Sequence, residues 1–250
     1  MLRHASPLID APARLLLLTD VHLHGRSAVS FRRLTRAAGW ARDFGVAAVL
    51  LGGDIIELDD EADVVARRLR QLFGALPLVA VLGNHEREEA KWPLTLGMRP
   101  HVNDVGVIRE AFDRASIETI DDRATTVAGL RVAGLTWRRR AGPTDDGRRL
   151  LGEGDPWPLV LTHSPDQLVG LDPARVGLAL CGHTHGGQVR LPLLGTPITH
   201  TRTRLARASG LTRVAGVQTF ISRGFGQTIP LRFASPPEAV LLELLPAPSL

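Results

Sequence analysis

Five short apolar runs divide this chain, and each leads directly into side chains of the kind that bind metal ions. The runs are Leu15–Leu18, Val49–Leu51, Leu78–Leu82, Leu159–Leu161 and Leu178–Leu180. The candidate ligands that follow them are Asp20, His22, Asp54, Asn84, His85, His163, His183 and His185. Apolar runs of this length are typical of buried strands, and open α/β sheets bind ligands at the carboxyl ends of their strands. The pattern therefore predicts that these side chains converge on one metal site.

Helix-like segments alternate with the first three runs. Residues 29–43 and 59–73 carry apolar side chains at helical spacing, and the second segment begins with acidic residues, which suit the helix dipole. Three strands separated by two helices predict a parallel sheet with crossover helices. These strands are predicted at 14–19, 46–51 and 77–82.

Shorter elements are predicted beyond residue 82. Residues 107–114 are predicted as a short helix, and the charged segment 138–149 as an exposed loop with Arg138–Arg140 on its solvated face. Residues 189–213 are expected to be irregular. Further strands are predicted at 117–120, 124–128, 130–136, 158–162, 176–181, 217–222 and 238–245.

Length and apolar content suffice for one large core. The chain has 250 residues, 44% of them hydrophobic, so we expect one domain over residues 1–250 with residues 1–13 as a loose leader. Cys181 is the only cysteine, which excludes an intrachain disulfide. The first residues do not resemble a signal peptide, and no apolar stretch reaches the roughly 20 residues of a membrane span. We expect a cytoplasmic protein, with peripheral contact to the inner membrane as a further expectation.

Arginine supplies almost all of the positive charge. The formal net charge is +4 and Lys91 is the only lysine. This balance is compatible with an anionic substrate, and also with a genome that encodes arginine freely. Aromatic residues make up 4% of the chain, and no helix-turn-helix or zinc-finger spacing occurs, which argues against nucleic acid as the main partner. The oligomeric state is left open.

The candidate ligands are carboxylates, imidazoles and one amide. No cysteine is among these ligands, which argues against a structural zinc site. Mixed Asp, Asn and His ligation favours manganese, iron or zinc over calcium or magnesium. Eight side chains exceed the needs of one open catalytic metal, whereas two ions about 3.5–4 Å apart would use them well.

Five motifs, taken together and in order, resemble those of a known family. They are Asp20-x-His22, Gly53-Asp54, Gly83-Asn84-His85, His163 and Gly182-His183-x-His185. This set is similar to that of the calcineurin-like metallophosphoesterases over about residues 14–187. The tail, with Ser222-Arg223-Gly224, Arg232-Phe233 and Pro236-Pro237-Glu238, is similar to the bacterial subgroup of UDP-2,3-diacylglucosamine hydrolase-like and cell-wall-associated phosphoesterases.

The resemblance implies an α/β fold with two packed mixed β-sheets flanked by helices. It also implies hydrolysis of a phosphoester by a metal-bridging hydroxide that attacks phosphorus in line. His85 would assist at the leaving oxygen. A phosphodiester or a nucleotide-lipid pyrophosphate is the expected bond, so the partner would be a small phosphorylated substrate, which the subgroup suggests is lipid-linked.

The same resemblance implies two divalent metal ions, manganese, iron or zinc, with Asp54 as the bridge. The ligands of the first would be Asp20, His22, Asp54 and His185. Those of the second would be Asp54, Asn84, His163 and His183.

Three further residues near the predicted ligands have expected roles outside the ligand set. Glu57 stands where phosphatases of the family carry an aspartate that orients the catalytic histidine, and it could hold His85 with a longer arm. Glu86 stands where many relatives have aspartate. Arg223 is a candidate phosphate contact, because the guanidinium fork matches phosphate geometry. Substrate choice is expected in the loops at 88–106, 138–156 and 189–213.

Two other functions fit parts of the pattern. Asp20-Val-His22-Leu-His24 alone would also suit an amidohydrolase or a PHP-type metal hydrolase. Lys91 lies in a polar stretch and not at a strand end, which weighs against the metal-bridging lysine of many amidohydrolases. His24 is not part of the metallophosphoesterase pattern, and unless it belongs to a site of this other kind we interpret it as a turn residue. A non-catalytic scaffold of the same fold is the second alternative, although such proteins usually lose ligands.

Overall fold

Two six-stranded sheets pack face to face in the computed structural model, which describes residues 1–23, 28–87, 102–188, 201–227 and 232–247. The first sheet contains, in spatial order, β1 (Leu2–Ser6), β12 (Val240–Pro246), β2 (Ala13–Leu18), β3 (Ala48–Gly52), β4 (Leu78–Val81) and β5 (Ile117–Thr119). The second contains β10 (Gly210–Val214), β11 (Val217–Ile221), β9 (Val176–Cys181), β8 (Trp157–Thr162), β7 (Leu130–Leu135) and β6 (Ala124–Val127). Both sheets mix parallel and antiparallel pairs, which confirms the predicted fold class.

Helices cover the outer faces of the sheets. The first sheet packs against α1 (Ala28–Asp43), α2 (Ala62–Phe73) and α4 (Val105–Arg114). The second packs against α5 (Asp145–Gly152), and α3 (Asn84–Arg87) is one turn that follows β4. None of the described helices is long and apolar enough to cross a membrane.

Alternate side chains of β2 pack into two different apolar layers, one on each face of the sheet. Leu15 and Leu17 belong to the apolar layer between the sheets, whereas Leu16 and Leu18 pack beneath the outer helices. Successive side chains of a strand point to opposite faces, so a run that is apolar at every position suits a strand covered on both sides. This is why the run shows no polar alternation.

Parallel pairing aligns the strands that precede the predicted ligands. β2, β3 and β4 are mutually parallel in the first sheet, and β8, β9 and β11 in the second. The carboxyl ends of parallel strands lie at one edge of a sheet. The loops that follow these strands therefore meet at one edge of the molecule.

The predicted loose leader at residues 1–13 is wrong over its first part. Leu2–Ser6 forms β1, which pairs in parallel with β12, and Ile9 is buried. Among the described residues, β1 pairs only with β12, at the other end of the chain. Local sequence carries no signal of such a distant pairing.

The predicted exposed loop at residues 138–149 includes the start of α5. Thr144 caps this helix, because its hydroxyl accepts the Gly147 N–H at 3.0 Å and donates to Asp122 at 2.7 Å. The Thr-Asp-Asp sequence is a helix start signal, which the glycine and proline of this segment obscured.

The predicted irregular segment at 189–213 ends in a strand. Gly210–Val214 is β10, and it pairs with β11 through the turn Ala215–Gly216. Both turn residues have positive φ angles, 49° and 87°, as a two-residue hairpin turn requires. Alanine rarely adopts that conformation, so the hairpin was missed.

Removing one side chain between the sheets should measure the strength of this packing. Leu17 is 0% exposed and lies in the layer between the sheets. We expect Leu17→Ala to lower the free energy of unfolding by about 2–5 kcal/mol, because burial is lost and a cavity remains. Urea unfolding monitored by circular dichroism checks this value. Leu211→Ala, at a leucine that is 44% exposed, is the control, and equal losses in both variants would contradict the packing argument.

Candidate metal centre

Loops at the carboxyl edge bring all eight predicted side chains into one cluster. The first sheet supplies Asp20 and His22 after β2, Asp54 after β3, and Asn84 and His85 after β4. The second supplies His163 after β8, and His183 and His185 after β9. The two sheets thus contribute side chains to one site. The individual roles of these residues stay predictions.

Asp20, His22 and His185 form one group within this cluster. The Nε2 atoms of His22 and His185 lie 3.2 Å apart, and Nε2 of His185 lies 3.6 Å from Oδ1 of Asp20. The other oxygen, Oδ2 of Asp20, is buried and has no hydrogen-bond partner among the described residues. One ligand atom from each of these three residues lies within 4.8 Å of the others, an arrangement that suits a cation.

Asp54, Asn84, His163 and His183 form the second group. The Nε2 atom of His163 lies 3.2 Å from Oδ2 of Asp54, 3.0 Å from Oδ1 of Asn84 and 3.1 Å from Nδ1 of His183. The Nδ1 atom of His163 lies 2.9 Å from the carbonyl oxygen of Gly52. A ring that donates from Nδ1 presents the lone pair of Nε2 to a metal.

The carboxylate of Asp54 connects the two groups. Its Oδ2 atom is 3.2 Å from Nε2 of His163 and 4.0 Å from Nε2 of His22. Its Oδ1 atom accepts the backbone N–H of His85 at 2.9 Å. One oxygen therefore lies between both sets of donors, and the clusters of Asp and His side chains suit divalent metal ions.

Glu57 holds two histidine rings at once. Its Oε2 atom lies 2.9 Å from Nδ1 of His85, and its Oε1 atom bonds Nδ1 of His22. The longer side chain of glutamate thus reaches both rings and turns the Nε2 atom of each towards Asp54. Histidine ligands in metal sites are commonly oriented in this way by a carboxylate.

Charges in this cluster shift the pKa values of its members. Burial disfavours the ionised form of Asp54, but His163 and His85 outweigh it and hold the Asp54 pKa well below its usual range. Burial lowers the pKa of His85, but Asp54 and Glu57 outweigh burial and raise that pKa to about 10. For His163, burial is likewise outweighed, chiefly by Asp54, and the pKa rises to about 9.

Several predicted ligands have a backbone conformation that side chains disfavour. A positive φ is uncommon outside glycine, costs of order 1–3 kcal/mol per residue and tends to occur at functional sites. The five with positive φ are Asp20 at 51°, His22 at 48°, Asp54 at 50°, His183 at 69° and His185 at 49°. Such strain persists only where the surrounding structure stabilises it, which supports a functional role for these turns.

Glu86 has a structural role that the sequence did not reveal. Its side chain is 0% exposed and accepts backbone N–H groups of the loop after β3 and of the turn after β4. The donors are Asp54 at 3.0 Å, Ile56 at 2.9 Å, Gly83 at 2.7 Å, and Ile55. Glu86 therefore fixes the loop that carries Asp54.

A second missed residue is Arg232, which lies beside a predicted ligand. Its Nη2 atom is 3.0 Å from Nδ1 of His185, and its Nη1 atom donates to the carbonyl oxygens of Arg223 at 2.7 Å and Ser235 at 3.1 Å. Arg223 itself bonds Glu238, at 3.0 Å from Nε and 2.6 Å from Nη2. A phosphate contact by Arg223 stays a prediction. The tail motif that contains Arg232 was the only sequence signal of its role.

Parts of three sequence predictions lie outside the described residues. These parts are His24, residues 88–101 of the predicted loop 88–106, and residues 189–200 of the predicted loop 189–213.

Comparison with known proteins identifies the family. The sequence profile described as "Calcineurin-like phosphoesterase" matches residues 13–187. The chain belongs to this family. Membership of this family disfavours the amidohydrolase or PHP-type alternative.

Individual relatives agree with this assignment. The chain is 29% identical over 243 residues to the phosphodiesterase YaeI of Escherichia coli, covering 94% of this chain and 83% of the relative. It is 25% identical to an uncharacterized metallophosphoesterase of Helicobacter pylori, covering 95% of this chain and 61% of the relative. Among solved structures, the purple acid phosphatase PPD1 of yellow lupin is similar, with a TM-score of 0.51, 15% identity, and coverage of 94% of this chain and 48% of the lupin chain. That likeness supports the fold, and the family makes this chain a metal-dependent phosphoesterase.

Metal binding should release protons near neutral pH. In the metal-free protein the pKa of His163 is about 9, so its ring is mostly protonated at pH 7 and a metal must displace the proton. We expect affinity to rise from about pH 6.5 to about pH 8.5 and to level off above about pH 9. Titration calorimetry in buffers of different ionisation enthalpy measures the released protons. Equal metal affinity at about pH 6.5 and about pH 8.5, without proton release, would contradict the proposed ligation by His163.

Gly83 should tolerate no side chain. A Cβ atom there would lie 2.1 Å from Oδ1 and 2.5 Å from the backbone nitrogen of Asp54. We expect Gly83→Ala to displace Asp54 and weaken metal binding by about 10–100-fold, as for other changes that disturb ligand orientation. Gly152→Ala is the matched control, because a Cβ there has nothing within 4 Å. Metal content after dialysis compares the two, and full retention by Gly83→Ala would refute the expectation.

Proposed function

We propose that this chain hydrolyses a phosphodiester or pyrophosphate bond with two divalent cations. The position of Asp54 carries the proposal, since its Oδ2 atom lies within 4.0 Å of ring nitrogens from both ligand groups. The ligands of the first cation would be Asp20, His22, Asp54 and His185. The ligands of the second would be Asp54, Asn84, His163 and His183.

The donor types suit manganese, iron or zinc. When bound, such cations polarise phosphoryl oxygens and lower the pKa of coordinated water. The chain's own contribution is to hold the donors rigidly, through the contacts of Glu57, Glu86 and the carbonyl of Gly52. Preorganisation of this kind is a large source of transition-state stabilisation.

His85 is the proposed acid at the leaving oxygen. Its Nε2 atom lies 3.9 Å from Oδ2 of Asp54, and its side chain is 22% exposed. Glu57 holds the Nδ1 atom, so Nε2 is the ring atom directed into the site. In the metal-free protein, Asp54 and Glu57 raise the pKa of His85, which favours the protonated ring that an acid at this position needs.

A diester substrate is supported by the relative named phosphodiesterase, which the alignment covers over most of its length. A lipid-linked pyrophosphate rests on the subgroup resemblance of the tail alone. A cytoplasmic location with peripheral contact to the inner membrane also stays a prediction. The scaffold alternative is disfavoured because all eight site residues are retained and converge.

Activity of the manganese-loaded protein towards bis-p-nitrophenyl phosphate and p-nitrophenyl phosphate tests the proposal. We expect diester cleavage, a loss of about 100-fold or more in His85→Ala with metal content retained, and loss of both activity and metal in Asp54→Ala. Asp146→Ala is the control, at an aspartate whose side chain is 72% exposed.

Two results would count against the proposal. One is the absence of hydrolysis of either ester with manganese, iron and zinc, although two ions are bound per chain. The other is unchanged diester cleavage in His85→Ala, which would remove this ring from the mechanism while leaving the metal centre in place.

A further inference from the structure

Asn103 lies close to His85 and Glu57 without being a candidate ligand. It directly precedes Asp104, the N-cap of α4, and it is 5% exposed. Its Nδ2 atom donates to the carbonyl oxygen of Glu57 at 3.0 Å and to that of His85 at 2.7 Å. Its Oδ1 atom accepts the backbone N–H of Asp59 at 3.0 Å.

These three partners fix the orientation of the amide. Both partners of Nδ2 are carbonyl oxygens, which only accept, and the partner of Oδ1 is an N–H group, which only donates. A flipped amide would therefore oppose like groups at all three contacts. Among side chains of similar size, only asparagine offers two donors and one acceptor in this arrangement.

The two carbonyls belong to His85, the proposed acid, and to Glu57, whose carboxylate holds the ring of His85. The bond from Nδ1 of His85 to Oε2 of Glu57, at 2.9 Å, joins the loop after β3 to the turn α3 after β4. Asn103 joins the backbones of the same two residues from a third segment of the chain. The main chain and the side chains of this pair are thus connected independently.

α3 needs such support because it is only four residues long. A single helical turn fixes few of its own backbone groups. The bond from Asn103 to the carbonyl oxygen of His85 anchors this turn at the residue that carries the ring. A displacement of about 1 Å at a reacting group can cost about 100-fold in rate.

We propose that Asn103 is a positioning residue that aligns the Glu57–His85 pair with the leaving oxygen. The inference rests on the proposed function of His85. The hydrogen bonds of Asn103 among the described residues reach no side chain of a proposed ligand. Its link to the cations is indirect, through Glu57 to the ring of His22, so we expect the cations to stay bound.

The test compares leaving groups. Phenoxide needs a proton far more than p-nitrophenoxide does, so misalignment of His85 should slow diphenyl phosphate cleavage more than bis-p-nitrophenyl phosphate cleavage. We expect Asn103→Ala to lower kcat by about 100-fold for the phenyl ester and by less than about 10-fold for the p-nitrophenyl ester. Asn103→Asp keeps the acceptor and removes both N–H donors, so it should lower kcat for the two esters in the same pattern as Asn103→Ala. Both variants should retain metal and cooperative thermal unfolding.

Asp104→Ala is the matched control. It removes the α4 cap that accepts the Gly106 N–H at 2.7 Å but leaves the contacts of Asn103 to Glu57 and His85. It should leave the ratio of the two rates unchanged. Equal losses for both esters in the Asn103 variants, or the same change of ratio in Asp104→Ala, would overturn the proposal.

A measurement without turnover separates this proposal from the proposed function. In the zinc-loaded wild type, the Nδ1 proton of His85, bonded to Glu57, should give a downfield NMR signal that exchanges slowly with water and is absent from His85→Gln. Exchange should be at least about 10-fold faster in Asn103→Ala, because the ring is less firmly held. If the wild type cleaves neither ester, the proposed function fails, while unchanged exchange in Asn103→Ala would by itself overturn the positioning role.

Discussion

The whole site depends on the burial of one carboxylate. Asp54 is 2% exposed, and an isolated ionised carboxylate in such a position would be very unfavourable. Three histidines compensate it, His163, His85 and His22, and they come from both sheets. The charge therefore gives the two sheets a common point of attraction at their carboxyl edge, in addition to the apolar layer between them.

Parallel strands and strained turns make different contributions to this arrangement. The strands set where the loops begin, so Asp20 and Asp54 follow neighbouring strands in register. The final direction of these side chains comes from the positive φ angles of Asp20 and Asp54, at 51° and 50°. The packed sheets around these turns stabilise local conformations that would not persist in an isolated loop.

Sequence patterns predicted the parts of the fold that depend on local periodicity. The strands leading to the site and the helices α1 and α2 were predicted near their observed bounds. β1 was missed because its partner is the last strand, and the β10–β11 hairpin because Ala215 occupies a position that usually requires glycine or asparagine. Propensity is a local quantity, and both cases depend on tertiary pairing.

Motif order likewise predicted which side chains would meet, but not what holds them. Glu86 and Asn103 act through backbone groups of distant segments, and such contacts leave no trace in residue spacing. Glu57 was predicted near His85, and its second contact, to His22, was found only in three dimensions.

The backbone around Glu86 resembles an anion-binding nest whose occupant is built into the chain. Consecutive N–H groups of Asp54, Ile55 and Ile56, with that of Gly83, point at one carboxyl group. In phosphate-binding loops, similar clusters of amides receive the phosphate itself. Here these four donors are already satisfied from within, so they are not available to a phosphoryl group. A phosphoryl group beside this loop would therefore need other donors, such as the proposed cations, and its binding there would depend on them in a way that main-chain phosphate loops do not.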